Sequence, residues 1–357
     1  DPRFRPERAY LWHSAALLRE YFRFQHDVMV VSNACISGLL AIIIGARMIR
    51  AQRYDQVVVT GADLVTEFVL SGFNSFLSLS DGPCKPFDKD RQGLSLGEAA
   101  GTVVLTRESG NGRIRIGQGF ATNDANHISG PSRTGEGLYL AISRTLAAEP
   151  VPVSYISAHG TATPYNDEME SVALTRAGLQ DVPVNSFKGY WGHTLGAAGI
   201  IETIAGAASL SRNILFGTKG FSEAGTTHPV AVIAETREAP ANLSQNGIRL
   251  WRVQCGINSF KMKSMPVITH TCTIRNNRIW LDGKLVFAGQ EGPPATFLTE
   301  TYRHLGISYP KFFKMDNLCR LGFLAAETVL QEAGMKERYG SDAVGLVLSN
   351  AASSIDT

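Results

Sequence analysis

Short runs of apolar, β-branched residues recur along the first 255 residues, each closed by polar or turn-forming positions. Gln56 to Thr60 (QVVVT), Gly101 to Thr106 (GTVVLT), Val153 to Ser157 and Val182 to Asn185 have this form, and Arg249 to Cys255 (RLWRVQC) repeats it. Such runs predict strands buried on both faces. Between them, Ile36 to Ala51, Glu136 to Ala148, Asp167 to Ala177 and Ala197 to Ser211 have the length and composition of helices. Alternation of this kind predicts an α/β layered fold.

The pattern changes after residue 260. Arg278 to Phe287 (RIWLDGKLVF) reads as a hairpin, with Asp282-Gly283 supplying the positive φ of a type I′ turn. Asn317 to Ala333 reads as a helix and Ala343 to Leu348 as a strand, and Met262 or Met265 could be a start methionine. The expected division is therefore 1–260 and 261–357.

Composition narrows the function. The chain has 357 residues, 44% of them hydrophobic, enough for one large or two ordinary domains. With 34 Lys and Arg against 32 Asp and Glu, the formal charge is +2. That balance gives no electrostatic case for nucleic acid or an anionic membrane, while leaving room for a basic patch that docks an acidic partner. The most apolar run, Leu39 to Ala46, ends at Arg47 and falls well short of the about 20 residues that span a bilayer, so no membrane insertion is expected. No amino-terminal stretch has the layout of a signal peptide, and the expected location is cytoplasmic. The five cysteines, Cys35, Cys84, Cys255, Cys272 and Cys319, are odd in number and include no C-x-x-C pair. A disulfide framework or a zinc site is not expected.

Cys35 lies in VVSNACISG, an apolar approach that runs straight into a helix. A thiol at a helix amino terminus feels the positive end of the dipole, which favours thiolate; a buried structural cysteine is the alternative. His159 opens HGTATP after a strand, and His193 lies in NSFKGYWGHTLGAAG among small residues. Each histidine alone is compatible with a hydrogen-bonded structural role. Two of them with one cysteine, all at strand-to-helix corners, suit a different task. The thiolate can hold an acyl group as a thioester, and the imidazoles can donate to an oxyanion or enolate. Lys188, five residues before His193, could tune the pair, and Glu170 could hold Lys188; a solvated surface pair is the alternative.

Two motifs mislead. Gly93-Leu94-Ser95-Leu96-Gly97 matches the G-x-S-x-G of serine hydrolases, but KPFDKDR precedes it and a strand follows, the reverse of what a nucleophile elbow needs. Asn242-Leu243-Ser244 fits a glycosylation acceptor, without meaning in a cytoplasmic chain.

SNACISG around Cys35, PCKPFDKDRQGLSLGEAAG at 83–101, AHGTATPYNDEME at 158–170 and NSFKGYWGHTLGAAG at 185–199 resemble the β-ketoacyl-acyl-carrier-protein synthases, in family order across roughly residues 10 to 260. One Cys with two His resembles the elongating branch. The resemblance implies a thiolase-like fold in α-β-α-β-α layers, usually a homodimer, and an acyl-carrier-protein partner without a metal or redox cofactor. It implies that Cys35 takes the acyl chain, that His159 and His193 stabilise the enolate formed from malonyl carrier protein, and that Lys188 and Glu170 support them. It further implies a substrate tunnel lined in part by Ile36 and Phe76, with Thr161 and Thr163 at the substrate.

The sequence departs from the family in two places. Only 34 residues precede Cys35, where a complete synthase has a long amino-terminal half. Asn258-Ser259-Phe260 starts the closing NSFGFGGTN loop, but Lys261 and Met262 follow. Residues from about 265 onward resemble the beginning of a condensing enzyme, so the order reads as the later part of one synthase followed by the early part of a synthase-like unit: an incomplete or rearranged fold. A heterodimer with a degenerate, chain-length-setting partner fits that order. The alternative function is a non-catalytic synthase-like partner or scaffold; a degradative thiolase, which uses a second cysteine near the carboxyl end, fits less well because Cys255 lies in a strand-like run rather than a Gly-rich loop.

Overall fold

The computed structural model of the chain describes residues 10–107, 114–124, 132–150, 152–239, 250–252, 256–257, 266–290, 292–332, 334 and 343–349. Among the described residues eleven strands make up the two principal sheets, ten of them labelled β1 (Met29–Val31), β2 (Gln56–Asp63), β3 (Ala99–Thr106), β4 (Tyr155–Ser157), β5 (Val184–Asn185), β6 (Leu250–Arg252), β7 (Val267–Arg275), β8 (Arg278–Leu281), β9 (Lys284–Ala288) and β10 (Val344–Ser349). The larger sheet runs β1-β10-β2-β3-β7-β8-β9, with the short strand Ile114–Arg115 also paired to β7. β1, β10 and β2 are parallel, and each later neighbour is antiparallel to the one before. The smaller sheet is parallel, in the order β6-β4-β5.

The helices are α1 (Leu11–Phe22), α2 (Ser37–Arg50), α3 (Glu67–Ser75), α4 (Glu136–Ala148), α5 (Pro164–Arg176), α6 (Lys188–Trp191), α7 (Ala198–Arg212), α8 (Pro294–His304) and α9 (Asn317–Glu332). Alternate residues of each central strand face opposite cores. Val58 and Ala62 of β2, with Val344 and Leu346 of β10, pack on α1, α8 and α9. Val57 and Val59, with Val347, pack on α2 and on Ile200 of α7. Burial on both faces is why QVVVT reads as a continuous apolar run. α7 also lies against β6 of the smaller sheet, whose Ile156 and Val184 pack on Leu138 and Ile142 of α4 and Ala173 and Leu174 of α5. The expected α-β-α-β-α layering follows from these contacts.

Two strands are shorter than their apolar runs. Pro183 accepts from Ile156 N–H through its carbonyl at 2.8 Å but has no N–H to return, so β5 starts at Val184; β4 starts at Tyr155. Helix α5 starts three residues earlier than expected, because Pro164 fits the first helical turn. The hairpin forms as expected, with Asp282 and Gly283 at φ +48° and +77°. Strands from both sides of residue 260 share the larger sheet. Among the described residues no helix is long and apolar enough to cross a membrane.

Candidate active site

β1 ends at Val31 and α2 begins at Ser37, leaving a tight turn with Cys35 on it. Ala34 takes φ +47°, a left-handed value unfavourable for a residue with a Cβ. Ser37 holds the turn closed: its hydroxyl donates to Ala34 O at 2.6 Å and accepts from Asn33 N–H at 2.7 Å. The thiol is half-buried, two residues ahead of a fourteen-residue helix whose dipole favours thiolate. Ile36 is half-buried and packs on the core beneath α2.

His159 follows β4 and is buried, as are Lys188 and His193. The Lys188 ammonium donates to His159 O at 2.6 Å and to Glu202 Oε1 at 2.8 Å, and lies 3.0 Å from His159 Nδ1. The Lys188 and Glu202 side chains are 0% and 1% exposed. Removing two charges from water costs several kcal/mol per ion unless they are paired and hydrogen-bonded, and here all three ammonium protons have acceptors. Glu170 acts on the backbone instead, accepting His159 N–H at 2.9 Å and Gly160 N–H at 2.7 Å. Burial and the neighbouring Asp167 push its carboxyl up to about 8, against the pull of Lys188 and the two N–H groups. Asp167 is pushed up to about 6 by burial and accepts Phe87 N–H at 2.7 Å and Ala162 N–H at 3.1 Å.

The hydrogen-bond network fixes both imidazoles as donors. Leu195 N–H donates to His193 Nδ1 at 3.2 Å, so the ring proton sits on Nε2, 2.9 Å from Cys35 Sγ. Lys188 donates to His159 Nδ1, so that ring also carries its proton on Nε2. The rings meet edge to face, 4.9 Å apart at 85°. One donor atom from each of Cys35, His159 and His193 lies within 4.8 Å of the others, a thiolate and two imidazoles of the kind that can ligate zinc. The ammonium behind His159 opposes a cation there and favours an anion.

Close backbone contacts bring the pieces together. A Cβ on Gly199 would lie 2.1 Å from Leu39 N, so the first turns of α2 and α7 touch as they do only with glycine. His193 is held by its own backbone, donating to Ser95 O at 2.7 Å and accepting from Gly97 N–H at 3.1 Å. A Cβ on Gly97 would lie 2.0 Å from Trp191 O. The glycines of GLSLG therefore serve close approach, and Ser95 Oγ accepts Cys84 N–H at 3.0 Å and donates to Gly82 O at 3.2 Å, as a structural hydroxyl does.

The structure thus brings Cys35, His159, His193 and Lys188 together, with Glu170 behind His159. Thr161 and Thr163 lie in the β4–α5 turn with their hydroxyls 2.9 Å apart. Phe76 is 62% exposed at the end of α3, beside exposed Leu77. Residues 253–255 and 258–265, with Cys255 and the interrupted NSF loop, lie outside the described residues, as does the Asn242 motif. Glu202 and Asp63 were not legible as site residues. Asp63 accepts Gly196 N–H at 2.6 Å and is buried. The available signal for Glu202 was a lone carboxylate in AGIIETIAGAAS, where a buried acid needs a partner.

Residues 12–111 match the β-ketoacyl synthase N-terminal domain, and residues 115–222 match the β-ketoacyl synthase C-terminal domain. The chain is 37% identical over 203 residues to 3-oxoacyl-(acyl-carrier-protein) synthase 2 of Vibrio cholerae, covering 51% of this chain and 49% of that protein. It is 34% identical over 215 residues to the tetracenomycin polyketide synthase ketoacyl synthase alpha subunit of Streptomyces glaucescens, covering 55% and 50%. The chain thus spans about half the length of the curated relatives it matches. Among solved structures, the ketosynthase ApeO in complex with its chain length factor ApeC from Xenorhabdus doucetiae is similar, with 30% identity, a TM-score of 0.60 and coverage of 72% of this chain and 64% of that one. The ishigamide ketosynthase/chain length factor gives 25% identity and a TM-score of 0.62, with the same coverages. The two domain matches, together with these relatives and the thiolase-like α/β layers they share, place the chain in the β-ketoacyl synthase family.

Proposed function

We propose that the chain is an elongating β-ketoacyl-acyl-carrier-protein synthase of fatty-acid or polyketide synthesis, an acyltransferase that makes a carbon–carbon bond. The observation that carries this reading is the 2.9 Å contact between His193 Nε2 and Cys35 Sγ, beside a second imidazole with the same tautomer. The Cys35 thiolate attacks an acyl-carrier-protein thioester, and the carrier thiolate leaves. Malonyl carrier protein then places its thioester oxygen against the two Nε2–H donors. Cleavage of the bond to carboxylate releases CO2 and leaves the electron pair as an enolate. Its carbon attacks the acyl-Cys35 carbonyl, forming the new bond and returning the thiolate. Charge balances without a redox or metal cofactor. Two neutral donors aimed at a developing oxyanion are worth most in a buried site.

The proposed partners are acyl carrier protein and a second synthase subunit, a copy of this chain or a chain-length-factor type. Exposed Phe68, Leu70, Phe76 and Leu77 around α3, with Met29 on β1, the end strand of the larger sheet among the described residues, support an apolar subunit surface. Ile36, Phe76, Thr161 and Thr163 remain the proposed acyl-contacting residues. The proposed compartment is the cytoplasm, where a thiol nucleophile stays reduced. A non-catalytic scaffold would gain nothing from the buried Lys188–Glu202 pair behind His159.

Intact-protein mass spectrometry with an acyl-carrier-protein donor tests the reading. The expected outcome is an acyl adduct on Cys35 that disappears in Cys35→Ala. A folded protein with no adduct, or an adduct surviving in Cys35→Ala, removes the nucleophile assignment.

A further inference from the structure

The two family matches end at residue 222, yet two features beyond that point brace the site. The first is β10. It lies between β1 and β2, pairing Ser349 with both Val31 and Gly61. Among the described residues β10 is the strand partner of β1, whose last residue is four positions before Cys35. The second is Arg275, at the end of β7. Its guanidinium lies 4.8 Å from the Trp191 ring and 4.9 Å from the Trp280 ring, a cation within reach of both indoles. Trp191 stacks on Phe187 at 5.2 Å and 8°. Those two aromatics flank Lys188, and Trp191 is two residues before His193.

We infer that β7 and β10 are positioning elements of the active site: β10 sets the Cys35 turn, and Arg275 sets the turn that carries Lys188 and His193. The segment that resembles the start of a second condensing enzyme thus completes, within one chain, the sheet that bears the nucleophile. Arg275 is a positioning residue, acting through Trp191 on the donor that faces the thiolate.

The rate of Cys35 alkylation by iodoacetamide, followed against pH on the full chain, tests Arg275. Arg275→Gln lowers the neutral rate about tenfold, the fraction that one pKa unit of thiolate carries, and the rate recovers at alkaline pH. Arg275→Lys, which keeps a cation at the indoles, restores most of the neutral rate. An unchanged profile, or a loss at every pH that Lys does not correct, overturns the role of Arg275. Hydrogen exchange on the unmodified chain tests β10. Amides of 29–31, 56–61 and 344–349 are expected in one slow class, and rapid exchange of 344–349 in a chain whose Cys35 still alkylates overturns the role of β10. Alkylation needs no acyl substrate, so failed acyl loading with these results intact would count against the synthase reading alone.

Discussion

The nucleophile and the imidazoles are held by opposite means. Cys35 rests on a strained turn closed by one hydroxyl, with its thiol half-buried at the start of a helix. His159 and His193 are buried, and the first of them is fixed by a lysine, a glutamate and their charges. A nucleophile must be reached by a long thioester arm, so it is held by short-range backbone geometry that leaves the sulfur accessible. Donors to an enolate must be dry and fixed in tautomer, which only an interior network provides.

Breaking the buried side of this contrast should have the largest effect. Lys188→Met leaves Glu202 without its ammonium in the interior and should cost about 3–5 kcal/mol in urea denaturation. Adding Glu202→Gln should return part of that loss, and a Lys188→Met protein of unchanged stability would show that the pair is not buried as a unit. Next, His193→Ala should lower malonyl decarboxylation by at least ~100-fold, whereas an unchanged rate would leave His193 a structural residue. Gly199→Ala, which forces the starts of α2 and α7 apart, should cost about 1–3 kcal/mol and lower Cys35 alkylation with it.

The smallest effect sharpens the comparison through pH. The carboxyls of Asp167 and Glu170 are raised in the folded chain, to about 6 and about 8. A raised acid binds its proton more tightly when folded, so its contribution to stability is full below the ordinary carboxylate range and is lost as pH rises through the folded value. Melting temperature should therefore fall between about pH 4 and 8. Glu170→Gln should flatten the upper part of that fall while lowering the whole curve, since an amide cannot accept both backbone N–H groups. A wild-type melting curve flat across that range would mean that these carboxyls are not raised.

Much of this was readable along the chain because its causes are local. QVVVT and GTVVLT are buried on both faces and carry that fact in their composition. The small residues around Cys35 and His193 mark the points where backbones touch. The partner of Lys188 was not readable. Glu170 and Glu202 both lie on helices near it in sequence, and only the packing of α7 against α2 decides that Glu202 reaches the ammonium. Nor was the place of β10 readable, since parallel pairing between strands so far apart leaves no turn or spacing behind.

That strand order also sets a timetable. Val31 and Gly61 belong to strands made well before the one that joins them, which ends at Ser349. At the usual pace of translation, roughly 5–20 residues per second, the gap lasts on the order of tens of seconds. Throughout it the nascent chain carries two apolar strands with a vacant seat between them, a species that nascent-chain chaperones are built to shelter. On the inference that β10 sets the Cys35 turn, the thiol takes its working geometry only once residues 344–349 have been made and have paired with both strands.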